Sequence, residues 1–176
     1  ISNDYSCLLL IGPRQVGKTT MLEHLMKDTA RKRVTLDDIT ERRLAQTDPE
    51  LFLETHPAPV LIDEVQYAPE LFSYLKIRID QGATPGSWWL TGSQSFELMR
   101  LAQESLAGRT AILHMSALSQ SELYGNGTTE PLSFRFDPLS RRKDFLSPCT
   151  AQEMYERIWR GGMPGHRSGN DQIGRA

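Results

Sequence analysis

Gly12-Pro13-Arg14-Gln15-Val16-Gly17-Lys18-Thr19 fits the pattern G-x-x-x-x-G-K-[S/T] without a mismatch. The apolar run over residues 7–11 predicts a buried strand before it, and the spacing over residues 21–26 predicts a helix after it. A turn between a strand and a helix directs successive backbone N–H groups, and the positive end of the helix dipole, toward an anion. The stretch therefore predicts a phosphate-binding loop.

Each position of this loop has a predicted task in holding a nucleoside triphosphate. Gly12 and Gly17 permit the backbone angles and the close approach of phosphate that a Cβ would obstruct. Lys18 is expected to bridge the β- and γ-phosphates, and the Thr19 hydroxyl to bind Mg²⁺. Thr20 is a further candidate phosphate contact. The intervening residues complete the predicted nucleotide-binding set: Pro13, Arg14, Gln15 and Val16.

Two acids, Asp63 and Glu64, directly follow the apolar run Val60-Leu61-Ile62. Ligands of doubly wound sheets gather at the carboxyl ends of the strands, so we expect Asp63 to face the metal and to bind Mg²⁺ through water. Glu64 is the candidate base that orients and polarises an attacking water. Adjacent carboxylates suit hydrolysis of a phosphoanhydride, whereas binding requires only the first. The alternative is a solvated junction between strand and loop.

Alternating strand and helix patterns predict an α/β fold, a parallel five-stranded sheet with helices on both faces. The apolar runs lie at residues 7–11, 33–36, 60–62, 88–91 and 111–115, and the clearest helical spacings at 70–81 and 95–106. Asp37 and Asp38 are expected to cap a helix rather than to bind ribose, because G-x-G-x-x-G is missing, and Asp48-Pro49 starts another helix.

The predicted sheet domain covers residues 1–118, and residues 119–176 are interpreted as a linker and the start of a helical lid. Capping boxes at residues 119–122 and 150–153 each predict a helix start, the second leading into residues 151–160. Between them, residues 128–148 are polar and predict a long connection. Ile1 is not an initiator methionine, so we expect the chain to be part of a longer protein.

Two further positions have an open role. The fourth strand is expected to lie between the loop strand and the strand of the two acids. Ser93 or Gln94, at its end, would then reach the γ-phosphate or the attacking water. The alternative is that these residues cap the next helix. Arg109 follows the predicted helix end at Gly108. It either points into the nucleotide site of a neighbouring copy or pairs with the helix C-terminus.

Composition excludes several classes of function. Lys and Arg number 20 against 22 Asp and Glu, and this balance disfavours generic nucleic-acid binding; Arg141-Arg142-Lys143 is interpreted as solvated surface. No apolar run reaches the length of a membrane span, and no signal segment opens the chain. Cys7 and Cys149 make no disulfide framework, so we expect reduced thiols and a cytoplasmic protein. The histidines show no ligand spacing, so we expect no metal site built from side chains alone.

Four motifs in order carry a resemblance to a known family: residues 12–20, Leu61-Ile-Asp-Glu-Val-Gln66, Leu90-Thr-Gly-Ser93 and Ser105-Leu-Ala-Gly-Arg109. Over about residues 7–123 the chain resembles bacterial and archaeal AAA-family P-loop ATPases, near the AAA+ and STAND branches, with Walker A and Walker B motifs. In that family a helical or winged-helix lid and an often nuclease-like C-terminal domain of obscure role follow the ATPase core. The resemblance implies that Pro164, in a G-x-P turn, contacts adenine.

The leading functional hypothesis is Mg²⁺-dependent ATP hydrolysis, with self-association through a trans arginine and coupling to an unidentified partner or C-terminal domain. The alternative is an ATP-operated switch or scaffold with negligible hydrolysis. A small-molecule kinase is disfavoured because it needs no water activator such as Glu64, and a GTPase because N-K-x-D does not occur.

Overall fold

The computed structural model describes residues 4–93, 96–123 and 149–164. The chain divides into two compact units, Ile1–Ser116 and Ala117–Ala176. The first unit contains a five-stranded sheet of order β2-β3-β4-β1-β5, in which all neighbouring strands run parallel. The strands are β1 Cys7–Gly12, β2 Lys32–Thr35, β3 Val60–Asp63, β4 Trp88–Ser93 and β5 Thr110–His114. This is the predicted α/β fold.

Five α-helices and one 3₁₀-helix connect these strands. The α-helices are α1 Lys18–Met26, α2 Ile39–Thr47, α3 Pro49–Thr55, α4 Leu71–Asp80 and α5 Phe96–Leu106, and the 3₁₀-helix is Val65–Tyr67. Asp38 caps α2, because its side chain accepts from the backbone N–H of Thr40 at 2.7 Å, as predicted. Asp48 caps α3 in the same way, with Pro49 at the first turn.

Apolar side chains fill both faces of the sheet, as predicted, but unequally. On one face, Leu9 and Ile11 of β1 belong to a large core with buried residues of α2, α3, α4 and α5. On the other face, Leu8, Leu10 and Trp89 pack with Leu22 of α1. The guanidinium of Arg31 lies 4.0 Å from the centre of the Trp89 ring, so a cation also packs against this apolar layer.

The register of the sheet brings together the carboxyl ends of three strands that carry candidate site residues. Gly12, the last residue of β1, pairs with Ser93, the last residue of β4. On the other side of β4, Ile62 pairs with Leu90, and Asp63 ends β3 at the same edge. β4 therefore lies between the loop strand and the acid strand, as predicted. It extends two residues beyond the predicted end because Gly12 supplies a partner for Ser93.

In the second unit, the structure describes two helices, α6 Gln120–Leu123 and α7 Ala151–Arg160. Both predicted capping boxes form: Glu122 N–H donates to the Ser119 hydroxyl at 3.2 Å, and Glu153 N–H donates to that of Thr150 at 3.2 Å. The predicted connection over residues 128–148, and with it Arg141-Arg142-Lys143, lies outside the described residues. Across the described ranges, no helix is long and apolar enough to cross a membrane.

Candidate functional site

A cleft of about 390 Å³ opens where the loop after β1 faces the carboxyl end of β3. Two loop residues, Gln15 and Gly17, have positive φ angles of 65° and 94°, which bend the backbone into the N-terminus of α1. In such a concave turn, successive backbone N–H groups point inward and are not paired with a neighbouring strand. The lining is formed by Arg14, Gln15, Gly17, Lys18, Thr19, Thr20, Asp37, Glu64 and Tyr67.

The structure gives a further reason why position 12 holds a glycine. A Cβ on Gly12 would lie 2.1 Å from the carbonyl oxygen of Met115, which follows β5. Met115 is fixed there because its N–H donates to the Ile11 carbonyl at 2.7 Å. A neighbouring chain segment therefore excludes a side chain at Gly12, and the backbone angle of Gly17 favours glycine there. The close approach of phosphate to these glycines stays a prediction.

Lys18 is 6% exposed, although it carries the charge expected to meet the phosphates. Its Nζ donates to the carbonyl oxygens of Gly12, at 3.0 Å, and Pro13, at 2.7 Å. Burial lowers the pKa of Lys18, and the nearby carboxylates of Glu64 and Asp63 act in the opposite direction. The ammonium group is thus held inside the loop by carbonyls, and a phosphate oxygen could take their place.

Asp63 is the buried carboxylate of the site, 3% exposed. The Thr19 hydroxyl lies 3.2 Å from both of its oxygens, and the Thr91 hydroxyl also donates to it. Arg33 of β2 donates to the same carboxylate at 2.7 Å and to Glu23 of α1 at 2.6 Å. These donors balance the buried negative charge, and the sequence analysis did not predict the role of Arg33.

Glu64 follows Asp63 with a φ angle of 59°, a rare backbone conformation for a residue with a side chain. Its N–H donates to the Thr91 hydroxyl at 3.3 Å, and its carboxylate accepts from the side-chain amide of Gln66. The turn directs Glu64 into the cleft beside Lys18. Positive φ at a functional position is the kind of backbone strain that active sites retain.

Ser93 reaches the same edge of the sheet at the end of β4. Its backbone N–H donates to the side-chain oxygen of Gln66 at 3.2 Å. Its hydroxyl oxygen is buried and, within the described ranges, has no hydrogen-bond partner. Gln94, the other candidate sensor, lies outside the described residues.

Arg109 does not reach the loop of its own chain. Its carbonyl accepts from the N–H of Cys7, so it lies at the amino end of β1, five residues and roughly 16 Å from Gly12. Its guanidinium donates to both oxygens of Asp80, at 3.0 Å for Nη2, and to the Ala107 carbonyl at 3.1 Å. Within its own chain Arg109 therefore lies far from the loop, and its contact with the Ala107 carbonyl matches the alternative of a cation at a helix end. Its role in the site of a neighbouring copy stays a prediction.

The other predicted binding residues divide into two groups. Arg14, Gln15, Gly17, Thr19 and Thr20 line the cleft together with Lys18. Pro13 is exposed and Val16 is buried in the interior, so neither side chain lines it. Pro164 belongs to the second unit, and its contact with adenine remains a prediction.

Tyr67 is a cleft residue that the sequence analysis missed. Arg14 Nη2 donates to its hydroxyl at 3.4 Å, and the Arg42 guanidinium lies 3.9 Å from the centre of its ring. An aromatic residue three positions after Glu64 was the available signal. A three-residue 3₁₀-helix has no periodicity from which its direction could be read.

Comparison with known proteins agrees with this arrangement. A family model described as an AAA domain matches residues 4–124. The chain belongs to the AAA domain family. With the parallel sheet and the loop after β1, this makes it an AAA-type P-loop ATPase domain, of a class that binds and hydrolyses nucleotides.

Two curated relatives of this AAA domain are the uncharacterized proteins Mb2031c of Mycobacterium bovis and Rv2008c of Mycobacterium tuberculosis. Each is 35% identical over 129 residues, which cover 73% of this chain and 29% of the relative. The chain thus matches less than a third of each relative's length. A crystal structure of an unliganded sugar kinase from Janibacter sp. HTCC2649 has a TM-score of 0.37 and 14% identity, over 82% of this chain and 79% of that one.

Proposed function

We propose that this AAA domain binds ATP with Mg²⁺ in the cleft and hydrolyses the bond between the β- and γ-phosphates. The observation that carries the proposal is the contact of the Thr19 hydroxyl with both oxygens of the buried Asp63 carboxylate, 3.2 Å from each. A hydroxyl at the start of α1 and a carboxylate at the end of β3 are the oxygen ligands that Mg²⁺ takes alongside phosphates.

The donor set fits a magnesium ion that is shared with the substrate. Hard oxygen atoms converge here, and across the described residues no cluster of three or more His, Cys, Asp or Glu side chains forms a closed metal site. Thr19 would bind the ion directly and Asp63 through water. When bound, Mg²⁺ neutralises charge that develops on the phosphate oxygens. Arg33 and Thr91 keep Asp63 in place.

The loop supplies the contacts to the triphosphate. The backbone N–H groups between Gly12 and Thr19 surround the phosphates, and Thr20 adds a hydroxyl. Lys18 exchanges the carbonyls of Gly12 and Pro13 for oxygens of the β- and γ-phosphates. Arg14 lines the cleft beside Lys18 and is a further candidate contact to the phosphates. All of these contacts come from one short segment, so binding and the position of α1 are linked.

Glu64 is the proposed general base. It orients a water molecule and accepts its proton as the water oxygen bonds to the γ-phosphorus and the bond to the bridging oxygen breaks. Ser93 ends the strand that pairs with Gly12, and its hydroxyl has no hydrogen-bond partner among the described residues. This hydroxyl is the proposed contact to the γ-phosphate or to the attacking water.

Two substitutions test the proposal. Lys18→Ala is expected to abolish binding of a fluorescent ATP analogue, whereas Lys27→Ala, a lysine at the far end of α1, leaves it unchanged. Glu64→Gln is expected to retain ATP binding. The rate of phosphate release should fall by about 10²–10⁴-fold, the usual cost of losing a general base. Glu70→Gln, an exposed acid before α4, is the matched control. Wild-type turnover in Glu64→Gln would contradict the assignment of the base.

A second candidate function is an ATP-operated switch or scaffold that hydrolyses ATP negligibly. The pairing of Arg109 with Asp80 favours it, because an arginine held by its own chain is not free to complete the site of a neighbouring copy. Release of inorganic phosphate over many turnovers by the isolated chain would eliminate it. The proposal also includes self-association and the coupling of hydrolysis to a partner or to a further domain. A sizing experiment with and without ATP tests the association.

A further inference from the structure

The side chain of Gln66 connects the proposed base to the end of β4. Its amide nitrogen donates to the Glu64 carboxylate, and its amide oxygen accepts from the Ser93 N–H at 3.2 Å. An ionised carboxylate only accepts and a backbone N–H only donates, so these two partners allow a single orientation of the amide. An ionised carboxyl lacks the donor and an apolar group lacks both functions, so neither could satisfy both partners.

The surroundings hold this amide tightly. A Cβ added to Gly92 would lie 2.9 Å from the Gln66 side-chain oxygen and 2.5 Å from Cδ2 of Leu98. The preceding residue, Val65, is fully buried. Tyr67, the following residue, accepts a hydrogen bond on its carbonyl from the side chain of Gln46 at 2.5 Å. Gln66 is therefore fixed on both sides, and its contact with Glu64 restricts the carboxylate.

We propose that Gln66 is a positioning residue, which holds one oxygen of the Glu64 carboxylate beside β4 and leaves the other to accept the proton of the attacking water. The inference rests on the proposed function, because it gives Gln66 a task only if Glu64 is the base. Ser93 pairs with Gly12, so one amide links the loop strand, the candidate sensor and the base.

Gln66→Met tests this role, because methionine has a similar length and lacks both hydrogen bonds. We expect kcat to fall by about 10–100-fold, the cost of a misplaced catalytic group, while the dissociation constant of a fluorescent ATP analogue stays within about twofold. Gln46→Met is the matched control: it also removes a glutamine hydrogen bond to the 3₁₀-helix, but does not affect Glu64. Its kcat is expected to equal that of the wild type.

A double variant separates positioning from a structural role. If Gln66 acts through Glu64, adding Gln66→Met to Glu64→Gln produces no further loss of the residual rate. A structural role would lower the thermal stability and reduce the rate by the same factor in both backgrounds. Gln66→Asn, which keeps the amide but is too short to contact both partners, gives the same test if the methionine variant does not fold.

The outcomes are distinct for the two proposals. A wild type that hydrolyses ATP, an inactive Glu64→Gln and a fully active Gln66→Met would overturn the role of Gln66 alone. A Gln66→Met variant faster than the wild type would also overturn it, because the amide would then restrain the base. A wild type without turnover would overturn the proposed hydrolysis and this inference with it.

Discussion

At the scale of single residues, Gly12 shows how closely two segments approach behind the loop. Gly12→Ala would place a methyl group 2.1 Å from the backbone oxygen of Met115, and a backbone atom moves only if β5 moves. We expect the free energy of unfolding to fall by about 1–3 kcal/mol, the usual cost of overpacking. Urea denaturation measures this change.

Gly108→Ala is the control for Gly12→Ala. Gly108 has a φ angle of 72° and no atom within 4 Å of an added Cβ, so alanine there costs backbone strain without a clash. It should leave ATP binding unchanged, whereas Gly12→Ala should weaken it as well. Equal binding by both variants would mean that the contact with Met115 does not shape the loop.

Cys7 leads to a prediction about pH. Burial raises the pKa of its thiol from 9.0 to about 12. Below pH 9 the Cys7 thiol is protonated in the folded and in the unfolded chain. Between pH 9 and about pH 12 the unfolded chain loses this proton and the folded chain keeps it. Stability therefore falls as the pH rises through this range, by about 1.4 kcal/mol per pH unit for one group.

Cys7→Ala should remove this component of the pH dependence. Urea unfolding at several values between about pH 9 and pH 11 measures the slope, which we expect to be shallower in Cys7→Ala than in the wild type. Cys149→Ala, which removes an exposed thiol, should keep the wild-type slope. The same slope in all three proteins would show that the Cys7 thiol ionises equally in both states.

The sequence motifs were enough to select Lys18, Thr19 and Asp63 as candidate site residues, because each is the side chain that phosphate or Mg²⁺ chemistry requires at that spacing. Gln66 and Arg33 were not predictable in this way. Arg33 contacts Asp63 of β3 and Gln66 contacts Ser93 of β4, and such contacts exist only after these strands are adjacent to one another.

At the scale of elements, the pair of Arg109 and Asp80 joins the end of α4 to the start of β5. We expect Arg109→Ala and Asp80→Ala to have similar, small effects on phosphate release, because both substitutions break the same exposed pair. A steady-state assay at several protein concentrations measures this.

A trans role of Arg109 would give a different pattern. Arg109→Ala alone would then lower the rate by about 10³–10⁵-fold, and the wild-type rate per molecule would rise with protein concentration. Asp80→Ala would leave that rate high, because the arginine would be released from its partner.

The ends of the elements show the limits of sequence patterns. β5 was predicted at residues 111–115 but extends over Thr110–His114, because Arg109 and Cys7 start the pairing with β1 one residue earlier. The capped helices were predicted well, since Asp38 and Asp48 act within their own turn. Local chemistry is readable from sequence, whereas pairing partners are not.

At the scale of the whole molecule, ligand binding should stabilise the first unit. ATP with Mg²⁺ at about 100 times its dissociation constant adds about 2.7 kcal/mol to the free energy of unfolding. We expect the midpoint of thermal unfolding to rise by roughly 5–15 °C, measured by scanning calorimetry. Lys18→Ala should show no rise, and an equal rise in that variant would place binding elsewhere.

The packing of α1 has an optical consequence. This helix starts at Lys18 and carries Leu22 into the layer that holds Trp89, while Arg31 stacks on the indole from the chain segment before β2. A shift of the first turn of α1 would change the polarity around that ring, which lies 4.0 Å from the Arg31 guanidinium, and the emission of the indole depends on this polarity. This face of the sheet therefore contains a natural fluorophore, and we expect its emission to change, without any attached label, when a ligand in the loop shifts the first turn of α1.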